Sequence, residues 1–274
     1  MSSPRELYLN LIQKTLSFTL WKEPGVPLDT YLSRHDIFRK TVVGSVVWLL
    51  DRMNLQLVKK VDYKEEQRAS GLIWPMYADT MIGTRRLGNL RECIETILRD
   101  KVEGDLIETG VWRGGASIFM KAVLTAHGEQ GRRLFVADSF QGLPAPDEEK
   151  YPQDTGDKLY KFDFLAVSRQ EVENNFVKYG LLDEDVIFLE GWFKDTLPSA
   201  PIEKLSLIRL DGDMYESTVD AITCLYPKLS EGGFCIIDDY HLAGCRQATD
   251  EYRATCGITG KLERIDENAV FWRK

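Results

Sequence analysis

Asp105-Leu-Ile-Glu-Thr-Gly-Val-Trp-Arg-Gly-Gly-Ala-Ser117 is the stretch on which the fold turns. A short apolar run, Leu106-Ile107, reaches an acid at Glu108 and a glycine at Gly110, and a helix is expected from about Gly115 to Ala126. A strand, a tight glycine turn and a helix, in that order, begin a strand–helix–strand unit. Outward from this stretch the alternation continues. Leu134-Phe135-Val136-Ala137 reads as the next strand and ends at Asp138. Val172, Phe176 and Tyr179 fall at helical spacing, and Val186 to Leu189 and Leu205 to Leu210 are further apolar runs. A helix over about Glu216 to Leu229 leads to the strand Phe234 to Ile237, which ends at Asp238-Asp239. A helix over about Gly244 to Tyr252 follows, and the chain closes on a hairpin, Leu262 to Ile265 and Ala269 to Trp272. Apolar strands alternating with helices predict an α/β fold, a mostly parallel sheet covered on both faces, with an antiparallel hairpin at its end.

Before this region the pattern is helical. Leu7, Leu9, Leu11, Ile12 and Leu16 form an imperfect apolar face, Val42 to Leu50 is a second apolar run, and Leu87, Leu90, Ile94, Ile97 and Leu98 fall at helical spacing. Two units are expected: a helical extension over 1–85 that covers the cofactor and carries oligomer contacts, and a catalytic domain over 86–274. The length of 274 residues suits one large domain with such an extension.

Composition removes several functions. With 35 Lys and Arg against 43 Asp and Glu, the net charge is −8, the wrong sign for a general nucleic-acid binder. The run Val42 to Leu50 is far shorter than the ~20 residues that span a bilayer, so no membrane partner is expected. The opening MSSPRELYLN lacks the basic-then-apolar order of a signal peptide. Cys93, Cys224, Cys235, Cys245 and Cys256 are odd in number and contain no CxxC pair, which argues against a disulfide framework and favours the cytoplasm.

In an open parallel sheet, ligands bind beyond the carboxyl ends of the strands. Four of the expected strands end in acids: Glu108, Asp138, Asp211 and the pair Asp238-Asp239. Glu108 precedes a glycine turn that lacks the G-x-G-x-x-G spacing of a pyrophosphate site. An acid there repels phosphate and attracts a sulfonium or ammonium group. Gly110 and Gly114 are expected to let a ligand approach the backbone. Asp138 is placed to accept ribose hydroxyls, and Trp192, beside Gly191, to stack on an adenine; Phe193 reads as a packing anchor. Together these favour S-adenosylmethionine over a nicotinamide dinucleotide.

If the strands ending at Asp211 and at Asp238-Asp239 are neighbours, three carboxylates meet at one rim. Their mutual repulsion calls for a cation. An all-oxygen set suits Mg²⁺, with Mn²⁺ as a substitute, rather than zinc. Asp213 and His241, close by in sequence, are candidates to orient a substrate hydroxyl or take its proton. His35 and His127 show no such neighbours and read as surface residues.

With these residues in view, the chain resembles the macrocin O-methyltransferase family, metal-dependent enzymes that methylate sugar hydroxyls on macrolide and aminocoumarin natural products. The shared motifs are Tyr8 to Ser17, Tyr77 to Gly83, Asp105 to Gly115, Ala137 to Pro144, Leu210 to Ser217, Asp238 to Tyr240 and Cys245 to Gln247. The resemblance implies the class I methyltransferase fold. It implies a donor site of Thr80, Met81, Glu108, Gly110, Ser117, Asp138, Ser139, Gly191, Trp192 and Asp211, and Asp211, Asp238 and Asp239 as Mg²⁺ ligands. Asp211, Asp213 and His241 are the catalytic candidates. It further implies a glycosylated small-molecule acceptor and a homo-oligomer. Catechol methyltransferases, with a similar metal arrangement, carry a lysine three positions after the first Asp ligand; here that position is Met214, so another group must take the proton. The long polar loop 142–165, with Tyr151 and Tyr160, is expected to be a lid over the acceptor. The competing readings are an NAD-dependent sugar oxidoreductase, a non-catalytic nucleotide- or sugar-binding module, and a hydroxylase on the same fold.

Overall fold

Nine strands form two sheets in the computed structural model, which describes residues 3–23, 25–27, 37–60 and 62–274, without the side chains of 37–42. His35 lies outside the described residues. Two short strands, β1 (Val26–Pro27) and β2 (Val58–Lys59), pair with each other. The main sheet contains β3 (Asp105–Thr109), β4 (Leu134–Asp138), β5 (Val186–Glu190), β6 (Leu205–Leu210), β7 (Leu229–Ile237), β8 (Glu263–Arg264) and β9 (Val270–Arg273), in the order β5-β4-β3-β6-β7-β9-β8. β3 to β7 are parallel; β9 runs antiparallel to β7 and closes the C-terminal hairpin with β8. Every residue of β3 and β6 is buried, the condition of central strands covered on both faces.

The helices are α1 (Pro4–Leu16), α2 (Ile37–Asp51), α3 (Glu65–Ala69), α4 (Gly83–Asp100), α5 (Gly115–Ala126), α6 (Arg169–Lys178), α7 (Phe193–Thr196), α8 (Tyr215–Leu225) and α9 (Ala243–Thr255). Helix α5 is apolar around most of its circumference, and Ile118, Phe119, Met120, Ala122, Val123 and Leu124 are all buried. It can be so because the sheet covers one side and helices α1 and α4 pack on it from the other. Helix α1 begins at a serine cap, the Ser3 hydroxyl accepting from the Glu6 N–H at 3.2 Å. Of its apolar residues Leu9 and Leu16 face inward and join the main core, while Leu7 and Leu11 are exposed. The segment before residue 85 therefore shares the core of the following region, and α4, which starts at Gly83, runs across the expected boundary. The first sixty residues also contain the β1–β2 pair, which helical periodicity did not foretell. In α2, Val46, Trp48 and Leu49 are exposed. Among the described residues no helix is long and apolar enough to cross a membrane.

Loop 142–165 is organised by three short 3₁₀ turns, Pro152–Asp154, Leu159–Lys161 and Asp163–Leu165. Its Phe164 lies between Trp74 and Trp112, with ring centroids 6.0 and 5.3 Å away. The Trp112 indole N–H donates to the Phe164 carbonyl at 3.0 Å.

Candidate active site

The strand order reverses between β3 and β6, and a cavity of about 670 Å³ opens beyond the carboxyl ends there. Thr80, Met81, Glu108, Gly110, Asp138, Ser139, Gly191 and Trp192 line one part of it; Asp211, Asp213, Asp238, Asp239 and His241 line another. Of the donor, metal and catalytic candidates named from the sequence, Ser117 alone is not on the wall. It is fully buried, and its hydroxyl donates to Glu108 Oε2. It acts behind the wall, holding Glu108.

The donor end is built from backbone as much as from side chains. Asp138 Oδ2 accepts from the Val111 N–H at 2.7 Å and Oδ1 from the Phe140 N–H at 2.7 Å. A carboxylate has about four acceptor positions, so it keeps capacity for hydroxyls. Burial pushes its acidity down, while these N–H groups work the other way; the net pKa is raised. Gly191, at φ 139°, donates its N–H to the Asp138 carbonyl at 2.9 Å and sets Trp192 at the start of α7. Phe193, expected as an anchor, packs against a second apolar cluster that includes Leu197, Ile208 and Leu210, and also reaches the cavity. The Gly115 N–H donates to the Asp79 carbonyl at 2.9 Å, which brings Thr80 and Met81 against the start of α5. Asp79 is held in turn by Lys178 at 2.7 Å and by the Tyr179 hydroxyl at 2.5 Å.

Gly110 lines the cavity and also answers to a second constraint. Its φ is 80°, and a β-carbon there would collide with the backbone carbonyl of Asp211. The glycine is required by the neighbouring strand. Gly114 likewise makes room for the Val172 side chain.

Strands β6 and β7 are neighbours, with Leu210 opposite Ile237, so Asp211 and Asp238 emerge side by side. Oxygens of Asp211, Asp213 and Asp239 lie within 4.8 Å of one another. The Asp213 N–H donates to Asp239 Oδ2 at 3.2 Å, and Asp213 itself adopts φ 57°, a left-handed conformation rare outside glycine. Asp238, expected to turn toward a cation, instead faces two guanidinium groups. Arg86 Nη1 donates to its Oδ2, and Arg209 Nη2 lies 2.5 Å from its Oδ1 as an ion pair. The physical reason is burial: at 2% exposure a carboxylate needs a counter-charge, and helix α4 and strand β6 deliver two.

The two arginines organise the site, and neither stood out in the sequence reading. Arg209 Nη1 also reaches Glu108 at 2.5 Å and Asp211 at 2.9 Å. Arg86 bridges to Asp266 of the C-terminal hairpin at 2.9 Å and donates to the Ser70 carbonyl at 3.2 Å. A signal existed for Arg209: it is the one charge inside Leu205 to Leu210, and a charge within a doubly covered strand must be paired.

Electrostatics follow from this layout. Burial works to raise the Asp238 pKa, but Arg209 and Arg86 outweigh it and the net shift is downward. Asp211 is raised by burial and by Asp239 and Asp238. Asp213 is pushed up to about 8 by burial, Asp211 and Asp157, and Asp239 to about 8 by burial, Asp213 and Asp238. Burial and the nearby Arg86 lower the His241 pKa, which favours its neutral imidazole. His127 lies away from the site, half-buried, with Nε2 3.2 Å from Glu95 Oε1.

The sequence signature described as Macrocin-O-methyltransferase (TylF) matches residues 5–274. The 8-demethyl-8-(2,3-dimethoxy-alpha-L-rhamnosyl)-tetracenomycin-C 4'-O-methyltransferase of Streptomyces olivaceus is 45% identical over 98% of this chain and 93% of its own length. The demethyldecarbamoylnovobiocin O-methyltransferase of Streptomyces niveus is 44% identical over 100% of this chain and 95% of its own. The solved structure of the O-methyltransferase NovP superposes with a TM-score of 0.84 at 44% identity, covering 98% of this chain and 99% of that one. The chain belongs to the macrocin O-methyltransferase family and is an O-methyltransferase. Its sheet is the class I methyltransferase sheet that the resemblance implied. The family assignment sets aside the oxidoreductase, the hydroxylase and the non-catalytic binding module.

Proposed function

We propose that this member of the macrocin O-methyltransferase family transfers the methyl group of S-adenosylmethionine to a sugar hydroxyl of a glycosylated small molecule, with a divalent cation at Asp211, Asp213 and Asp239. The observation that carries the proposal is that one cavity joins the Asp138 and Trp192 walls to three mutually close carboxyl groups. Two relatives support the acceptor class, since their names place the methyl on a rhamnosyl tetracenomycin and on demethyldecarbamoylnovobiocin.

The donor set fits a hard cation. It is all oxygen, and burial, with mutual repulsion added, raises each of the three acids. Mg²⁺, bound there, would lower the pKa of an acceptor hydroxyl and fix its position. The chain's own groups do the rest. Asp138 takes the ribose hydroxyls with the acceptor capacity left by Val111 and Phe140. Trp192 stacks on the adenine. Thr80 and Met81 close the methionine end. Buried Glu108, neutralised by Arg209, keeps the floor polar without presenting an unpaired charge. As the hydroxyl oxygen bonds to the methyl carbon, the bond from that carbon to the sulfonium sulfur breaks, its electron pair stays on sulfur, and S-adenosylhomocysteine leaves. Asp213 takes the hydroxyl proton at the carboxylate oxygen turned away from the cation, and the neutral His241 orients the acceptor. Positioning contributes much of the rate in such a displacement.

The test is a mass-shift assay with S-adenosylmethionine, Mg²⁺ and a panel of glycosylated acceptors. Methylation that stops with EDTA and returns with Mg²⁺ is the expected result. Full turnover in EDTA would remove the cation from the proposal, and methylation of none of the glycosylated acceptors would remove the acceptor class.

A further inference from the structure

Helix α8 begins two residues after Asp213, yet it has no cap of its own. Met214 at its N-cap offers no side-chain acceptor. Its first N–H groups are taken by a residue sixty positions upstream: Asp154 Oδ1 accepts from the Tyr215 N–H at 2.7 Å, and Oδ2 from the Glu216 N–H at 3.1 Å. Asp154 ends the 3₁₀ turn Pro152–Asp154 within loop 142–165 and is only 5% exposed. Tyr151 of the same turn places its ring 6.0 Å from that of Tyr215. The start of α9 is cut to admit this contact, since a β-carbon on Gly244 would sit 3.0 Å from Asp154 Oδ1 and 3.2 Å from the Tyr215 nitrogen.

We infer that Asp154 is a positioning residue that ties the lid to the acidic turn, so that the loop over the acceptor and the carboxyl groups beneath it are ordered together. The acidic turn is pinned on one side where the Asp213 N–H meets Asp239, and on the other through the start of α8, where Asp154 sits. Asp213 holds a left-handed conformation that its neighbours must maintain. A negative carboxylate on two free N–H groups at a helix start is a favourable contact on both hydrogen-bonding and dipole grounds. Leu159 and Leu165, farther along the same loop, reach the cavity wall. Anchoring the loop at Asp154 thus fixes the wall that meets the acceptor. Tyr160, singled out from the sequence as part of the lid, is exposed and lies off that wall.

The inference rests in part on the cation site proposed above, and two readouts keep the two separable. Full-length Asp154→Ala and Asp154→Asn are compared with the parent by calorimetry against Mg²⁺ and against S-adenosylhomocysteine, and by amide hydrogen exchange. In D154A, exchange should accelerate at least tenfold over both 150–158 and 213–218. The Mg²⁺ dissociation constant should rise at least tenfold while that of S-adenosylhomocysteine stays within twofold. D154N keeps one carbonyl acceptor and should fall between; it decides the matter if D154A does not fold. Unchanged exchange over 150–158, or an equal loss of both ligands, overturns the inference. A parent protein that binds no Mg²⁺ overturns the cation site, and the exchange result then judges the anchor alone.

Discussion

Arg209 and Glu108 stand opposite each other on the paired strands β6 and β3, and the guanidinium Nη1 lies 2.5 Å from Glu108 Oε1. Both side chains are almost fully buried. The same guanidinium reaches Asp211 and Asp238, so one cation in the sheet holds three acids at the floor of the cavity. Replacing Arg209 by methionine keeps much of its volume and strands those acids. Removing one partner of a buried pair costs about 3–5 kcal/mol, and Arg209→Met should lose about that much in urea denaturation at pH 7.5. The deficit should shrink as pH falls, because protonation removes the unpaired charges. A variant as stable as the parent at neutral pH would show that the arginine is not needed to neutralise them.

Asp138 carries the ribose assignment. Asp138→Ala should weaken S-adenosylmethionine and S-adenosylhomocysteine alike by roughly 1.5–3 kcal/mol, the loss typical of hydrogen bonds to a charged group. The two ligands share the ribose and differ in the methyl, so calorimetry should return equal losses. Unchanged dissociation constants for both would rule the role out. The variant also frees the Val111 and Phe140 N–H groups, so a modest fall in melting temperature should accompany the binding loss.

The acidic cluster predicts a pH dependence with a definite sign. Asp213 and Asp239 are raised in the folded chain to about 8, from an ordinary value near 4 when unfolded. Between those values the folded state binds more protons than the unfolded state. Stability therefore falls as pH rises through the window from about 4 to about 8, and levels off above it. In EDTA the protein should melt higher at pH 6 than at pH 8.5. Saturating Mg²⁺ should reduce that difference, since ligation favours the ionised carboxylates. An identical pH slope with and without Mg²⁺ would mean that these acids do not hold the ion.

Helix α2 supports the expectation of a homo-oligomer. Val46, Trp48 and Leu49 are 44%, 60% and 56% exposed, and Met53 and Leu55 just beyond the helix are exposed as well. Large apolar side chains exposed this densely are candidates for burial against another chain, and a symmetric copy is the commonest partner. Light scattering at micromolar concentration should show more than one chain, and Trp48→Glu should shift the mass toward the monomer. A monomeric parent would refute the assembly. A monomeric variant with unchanged methyl transfer would confine the role of α2 to assembly.

Much of this molecule was legible before its structure. β3, β4 and β6 were visible as apolar runs because central strands of a parallel sheet are buried on both faces, which makes the signal local and continuous; β5, at the edge and only partly buried, was visible from its apolar run Val186 to Leu189 alone. Helix α5 was legible to the residue for the same reason, and the final hairpin from the turn Asp266-Glu267-Asn268. The acids at the strand ends marked the cavity, since the carboxyl ends of a parallel sheet converge at one rim whatever lies between them in the chain. β7 was read as the four residues Phe234 to Ile237, whereas it extends from Leu229 through two glycines that interrupt the apolar pattern.

The tertiary structure alone decided how those acids are used. Which carboxylates meet each other and which meet arginine depends on contacts between residues about 100 to 180 positions apart, such as Arg209 with Glu108, Arg86 with Asp238 and Arg86 with Asp266. No local periodicity encodes such a pairing. The same holds for Gly110, whose freedom answers to the carbonyl of Asp211, for Ser117, which holds Glu108 from behind, and for Asp154, which caps a helix in another part of the chain. Hydrophobic pattern determines which segments must be buried. The close approach of buried backbone and charge determines which polar group each remaining one must satisfy, and that is settled only when the segments are packed together.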